Sequence, residues 1–312
     1  MSPAAPRRSR GPFLLGIAGI VLFGATATYL MFLSEPPPAP RPANVRPAVV
    51  AAPKPQQLTL SQLSGAVEVK GADGTWRAAK AGDVLKPSDG VRTQDGAYAV
   101  IVGGEYWEVK MEPGTEVEVG ELSESISRLL LGSGMAHATV RKGNKHTFEV
   151  KAKKGDAAAR SAGGAFTIAG NGEGTVAVST EDGETELEGK GRVVIVRAGQ
   201  RSVVLPGQAP TDPVAVPSSL LLKVSLPPVS LVNKTKLTVV GQTEPGARVQ
   251  IGGRMIETDA TGRFSTTVKL DEGKQEIDVK AVGVGGVNAS SAHQIELDTH
   301  VRRVTIDKNL WK

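Results

Sequence analysis

Four histidines, His137, His146, His293 and His300, are the side chains best suited to proton transfer or metal ligation near neutral pH. His293 and His300, with Glu296 and Asp298 between them, resemble a ligand cluster. On a strand, however, a separation of seven residues turns the two imidazoles to opposite faces. His137 shares parity with Arg141 and is expected to point outward, whereas His146 shares parity with the apolar Phe148 and Val150. That pair diverges too, and all four histidines are expected in structural or solvated positions. The chain has no Cys, which excludes a disulfide framework, a thiolate metal site and a cysteine nucleophile. No catalytic, cofactor-binding or metal-ligating residue is expected.

Carboxylates are dense from Glu105 to Glu124 (Glu105, Glu108, Glu112, Glu116, Glu118, Glu121, Glu124, against Lys110), and bases from Arg141 to Lys154 (Arg141, Lys142, Lys145, Lys151, Lys153, Lys154, against Glu149). A glycosidase needs two carboxylates converging on a cleft, but these acids mostly alternate outward along strands. The two runs are either docking surfaces of opposite sign or solvated sheet faces that pair with each other inside the domain. Gly170-Asn171-Gly172-Glu173-Gly174 leads into a strand, Thr175 to Ser179, so no helix N-terminus is available for a phosphate, and the segment reads as a turn. Gly183 to Lys190 has one residue too many for a phosphate loop and no hydroxyl residue after Lys190.

The elements around these residues read as strands. Val67 and Val69 alternate with Glu68 and Lys70, Trp107, Val109 and Met111 with Glu108 and Lys110, Val117 and Val119 with Glu116 and Glu118, and Phe148 and Val150 with Glu149 and Lys151. Gly103-Gly104 is expected to turn a hairpin between Ala97–Val102 and Tyr106–Met111. The four apolar residues within Arg192–Arg197 predict a strand covered on both faces. Ser123 to Leu130 is the one expected helix, with Leu122, Ile126, Leu129 and Leu130 at helical spacing.

Ahead of these strands, Pro12 to Leu33 is an uncharged apolar run of 22 residues, against the roughly 20 a membrane helix needs. Arg7, Arg8 and Arg10 precede it, so the positive-inside rule places residues 1–11 in the cytoplasm and everything after Ser34 outside. The competing reading is a signal peptide cleaved after Ala25-Thr26-Ala27, but Tyr29 to Leu33 continue the apolar run past that point. Residues 34–57 hold eight Pro in 24 positions and are expected to form an extended stalk. Pro206, Pro210, Pro213 and Pro217 mark a second linker, 206–223, between a first domain at 58–205 and a sandwich with its tail at 224–312. The formal net charge is +5; without the three N-terminal arginines it is +2, too diffuse a surplus for a nucleic-acid surface.

Residues 65–200 resemble the periplasmic domain of the FecR family. The resemblance runs through Gly65-Ala66-Val67-Glu68-Val69, Trp76, Gly82-Asp83-Val84-Leu85, Gly90-Val91-Arg92-Thr93, Pro113-Gly114-Thr115, Gly163 to Ile168, Thr175 to Val178 and Ala198-Gly199-Gln200. It implies an all-β domain that senses or transmits an envelope signal without catalytic residues. Family members that regulate sigma factors carry a helical domain before the span, where this sequence has about eleven residues, which argues against direct sigma-factor control. Gly241 to Ala247, Asp259 to Phe264 and Leu270 to Gly273 resemble bacterial Ig-like modules, which implies a β-sandwich acting as spacer or weak binder. The basic tail, single span and Pro-rich stalk also resemble TonB-type transducers, but the span has no ionisable group for a proton pathway.

The sequence therefore predicts an all-β, non-enzymatic protein with a single N-terminal transmembrane helix, a stalk, a FecR-like domain and an Ig-like sandwich. It is expected in the inner membrane of a bacterial envelope with its bulk in the periplasm, binding an envelope protein or, alternatively, peptidoglycan or another carbohydrate.

Overall fold

The computed structural model describes residues 57–71, 73–143, 146–226 and 231–300. The expected tail, membrane helix and stalk up to residue 56 lie outside the described residues, as do Lys145 and residues 301–312. Every regular element among the described residues is a strand, and none is a helix long and apolar enough to cross a membrane.

The period-two pattern before Pro206 builds two sheets around one core. The first runs, from edge to edge, through Val214–Ala215, Gln200–Val204, the start of Val176–Gly189, Gly164–Gly170, the end of Ile126–Val140, Trp107–Met111, Tyr98–Gly103, Leu58–Ser64 and Val84–Leu85, all antiparallel. The second runs through Arg192–Arg197, the end of Val176–Gly189, Ala158–Ser161, Thr147–Ala152, the start of Ile126–Val140, Glu116–Leu122, Gly90–Thr93, Val67–Lys70 and Trp76–Ala78, with one parallel pair between Thr147–Ala152 and Ile126–Leu131. Two strands therefore belong to both sheets and turn the corner between them. In Ile126–Val140 the corner is Gly134, with φ 112° and the space of a Cβ taken by Thr115 at 2.4 Å, so no other residue fits there. Between the sheets Trp107, Phe148 and Phe166 stack in sequence, with centroids 4.6 and 6.2 Å apart, among wholly buried Leu58, Leu60, Ile101, Ile168 and Leu187.

The expected hairpin at Gly103-Gly104 forms, with Gly104 at φ 56° and Tyr106 N–H donating to Gly103 O. Two expectations are corrected. Ser123 to Leu130 is not a helix: Leu122 ends one strand, Ile126 starts the next, and Ser127, Leu129 and Leu131 are buried on one face in period two. Strands on both sides offer that segment a ladder, and its serines are poor helix formers. Arg192–Arg197 is not covered on both faces: it is an edge strand paired only with Val176–Gly189. Val194 and Val196 enter the core while Val193 is 49% exposed.

From Leu220 onward a smaller two-sheet sandwich follows. Leu222–Ser225, Lys236–Thr243 and Arg263–Lys269 form one sheet, and Leu231–Val232, Asn288–Leu297, Gly273–Val282, Arg248–Ile251 and Arg254–Ile256 form the other. Val239, Val249, Phe264, Leu270, Val279 and Ala281 fill the space between them. The Pro-rich segment joining the two regions lies along the first: Thr211 N–H donates to Val203 O, Asp212 accepts from Arg192, and Val214–Ala215 adds a short edge strand.

Candidate functional site

The outer face of the first sheet carries the densest set of chemistry-bearing groups. Cross-strand register aligns Lys110, His137, Thr167, Ser179 and Arg201 in one row. His137 Nδ1 lies 2.7 Å from Thr167 Oγ1, whose own proton goes to Glu181 Oε1 at 3.0 Å, so Nδ1 is the donor. Nε2 faces Glu112 Oε1 at 3.4 Å and donates to it when the ring carries both protons, and Lys110 Nζ reaches the same oxygen at 2.8 Å. The His137 hydrogen bond, followed by Lys110, lowers the Glu112 carboxyl to about 2 against the opposing effect of burial. A hydroxyl, an imidazole and a carboxylate in this order have the composition of a nucleophilic triad. Thr167 is wholly buried and its hydroxyl is already engaged on both sides, so no substrate carbonyl can reach it. The cluster, with Lys110, His137, Thr167 and Glu181, links four neighbouring strands.

The second sheet carries a row of alternating charge. Glu121, Arg128, Glu149, Arg160 and Glu188 follow one another across five strands, each paired with the next. Glu149 is 1% exposed in its side chain. Burial alone would raise its carboxyl, yet the Arg128 and Arg160 guanidiniums hold it below the usual range. The acidic and basic runs of the sequence also meet inside the domain: Glu105 pairs with Arg141, and Lys153 with Glu116 and Glu118. Those groups are engaged with one another.

The other histidines are dispersed. His146 is buried, stacked on Tyr106 at 5.0 Å and hydrogen-bonded to Glu124 O and Ser127 Oγ. His293 contacts Ser291 Oγ at 2.9 Å. His300 sits instead with Asp298 and Glu272, the one group of three potential metal ligands among the described residues. All three are exposed, and Glu272 already accepts from Thr299 N–H and Oγ1. Sequence spacing separated His293 from His300 but could not find Glu272, which arrives through the pairing of Gly273 with Leu297.

The feature that sequence reasoning missed is the junction between the two regions. The turns at Pro113-Gly114, Gly170 to Gly174 and Glu244 to Ala247 meet there around a cleft of about 160 Å³. Arg248 Nη2 donates to Pro113 O and Gly114 O, Met255 N–H to Asp95 Oδ1, and Asn171 Nδ2 to Thr258 O, while Arg201 pairs with Glu244. Val284 packs with Met135, Ala169 and Ala177 of the first sheet. Gly246 has φ 79°, and a Cβ there would lie 2.3 Å from Ala177 Cβ. Burial lowers the Arg248 guanidinium to about 10, so it stays charged at neutral pH, and its Nη1 has no acceptor among the described residues. The Pro245-Gly246 pair was a visible turn signal, but nothing local in it specifies what it packs against.

Comparison with known proteins matches the family described as FecR protein over residues 89–203. No curated protein matches the chain. Among solved structures, two crystal structures of a candidate anti-sigma factor from Parabacteroides distasonis are 17% and 16% identical, each with a TM-score of 0.35 over 39% of this chain and 59% of that one. The chain thus spans 59% of the length of those structures. The fibronectin(III)-like modules of CbhA from Clostridium thermocellum are 16% identical, with a TM-score of 0.21 over 58% of this chain and 94% of that one. Overlaps this low decide nothing about partner or activity. Residues 89–203 are a FecR family domain, set within a larger pair of sheets whose first strand begins at Leu58.

Proposed function

We propose that this chain is a non-enzymatic, membrane-anchored protein of the bacterial envelope, in which the FecR domain binds a protein partner and takes part in signalling or scaffolding. The observation that carries the reading is the FecR domain itself at residues 89–203. The state of the chemistry-bearing groups supports it, because the one triad-like arrangement is closed to substrate and the charged rows are engaged with each other. In this reading Pro12 to Leu33 anchors the chain in the inner membrane with residues 1–11 in the cytoplasm, and the C-terminal sandwich, an Ig-like module, is an accessory fixed against the FecR domain.

The test is cross-linking in cells from photoreactive residues placed on the exposed faces of 58–205, with identification of what is captured. Reproducible capture of one envelope protein from several positions within 58–205, and not from matched positions on the C-terminal sandwich, supports the reading. Sedimentation of the chain with purified peptidoglycan and no protein captured would replace it with a wall-binding adaptor.

A further inference from the structure

The edge strand Arg192–Arg197 carries no Pro, no Lys and no bulge along its outer side, and its two arginines stand only at its ends. Lys190 and Gly191 both have positive φ, 47° and 74°, which makes a two-residue primed turn and sets Gly189 opposite Arg192 as a hydrogen-bonded pair. The amides and carbonyls of Arg192, Val194 and Val196 therefore face the strand Val176–Gly189, and those of Val193 and Ile195 point away from it. The bond from Ala198 N–H to Gly183 O keeps the same parity. Among the described residues nothing pairs with the backbone of Val193 or Ile195. Neither arginine guards this edge, since Arg192 is held by Asp212 and Arg197 by Glu184. Val193, half exposed, and Ile195 lie side by side on the outer face.

We propose that this edge pairs antiparallel with the same strand of a second copy of the chain, about a two-fold axis at Val194. Only residues whose backbone points outward can form the hydrogen-bonded pairs, so Val193 meets Ile195 of the second copy and the reverse, giving four hydrogen bonds. Val193 and Ile195 lie symmetrically on either side of Val194 and are both apolar, so a two-fold axis there sets apolar against apolar across the seam. It places Arg192 opposite Val196 and Arg197 opposite Gly191 of the second copy, so no like charges face each other. The one register that would oppose Arg192 to Arg197 is forbidden by backbone parity. Two paired residues a side make an interface well under roughly 1,200 Å², so the association is weak and concentration-dependent. It does not rest on the function proposed above.

The absence of Cys allows a clean test on the full chain in mild detergent. At the axis the two Val194 Cα atoms are about 4.5 Å apart, within the roughly 4.4–6.8 Å a disulfide spans. Val194→Cys should give a reducible dimer on mild oxidation at least tenfold more efficiently than Val84→Cys on the opposite edge of the other sheet. Adding Val193→Lys should reduce the yield at least tenfold with the melting midpoint unchanged. Equal yields from the two edges, insensitivity to Val193→Lys, or cross-linking only to another protein would overturn self-pairing. Should Val194→Cys perturb folding, sedimentation of the unmodified chain against Val193→Lys decides: a mass that rises with concentration in the former alone supports the proposal, and the same behaviour in both overturns it.

Discussion

The FecR-bearing region and the C-terminal sandwich differ in where they keep buried charge. In the first, Glu149 is buried between two arginines of the same region, and the row they belong to ties five strands together. In the second, the described ion pairs formed within the sandwich are exposed, and its half-buried cation, Arg248, reaches out of it to carbonyls of the other region. The difference teaches that the first region pairs its buried charge internally, while the sandwich depends on the junction for the acceptors of its Arg248 guanidinium.

The comparison breaks most visibly at Glu149. Glu149→Ala leaves Arg128 and Arg160 facing each other without their carboxylate, and should destabilise the first region by about 3 kcal/mol, read as a lower urea midpoint with unchanged slope. A loss comparable to that of an exposed pair would mean the row is decoration on a fold set by its apolar core. Gly246→Val comes next, because it meets both a positive φ and the Ala177 methyl group. A cost of roughly 2 kcal/mol is expected, expressed as early melting of the sandwich ahead of the first region. One cooperative transition shifted as a whole would show that the two regions do not differ in this respect.

Two smaller effects sharpen the comparison within the first region. Gly104→Val forces a β-branched residue into φ 56° where only the Tyr106 ring is near, so backbone strain of roughly 1 kcal/mol is expected without a packing clash, checked by thermal unfolding. Glu112→Gln should act chiefly through acid. A carboxyl lowered to about 2 in the folded chain, against about 4.3 unfolded, contributes stability that is fully present above the unfolded value and is lost as pH falls through the folded one. The wild-type acid limb should thus steepen between about pH 4 and 2, and Glu112→Gln should flatten it; identical limbs would remove Glu112 from the account.

What was legible in the sequence was whatever is written in period two. The strands around Val67–Val69, Trp107–Met111 and Phe148–Val150 need only alternate residues facing a core, and a Gly-Gly pair announces its own turn. Leu122 and Ile126 misled because they belong to two strands separated by a short turn, and helical spacing across such a break is coincidence. Val193 to Val196 misled because an apolar run states what could be buried, while edge position depends on which strand comes next in space. The row His137, Thr167, Glu181 was illegible for a related reason: three strands must be in register before those side chains meet. The junction is the extreme case, since Arg248 and Pro113 are 135 positions apart.

The two strands that turn the corner between sheets also govern how the chain can fold. Ile126–Val140 and Val176–Gly189 each contribute one half to either sheet, so neither sheet can be completed while the other is absent. Loop closure must bring Leu58–Ser64 to Tyr98–Gly103, and Trp107–Met111 to the far end of a strand that begins at Ile126, before most apolar contacts form. A topology dominated by such distant pairings belongs with slow folders, in the millisecond-to-second range. Native-state amide exchange should accordingly find the inner strands of both sheets opening together as one unit, with the slowest protons in the two shared strands.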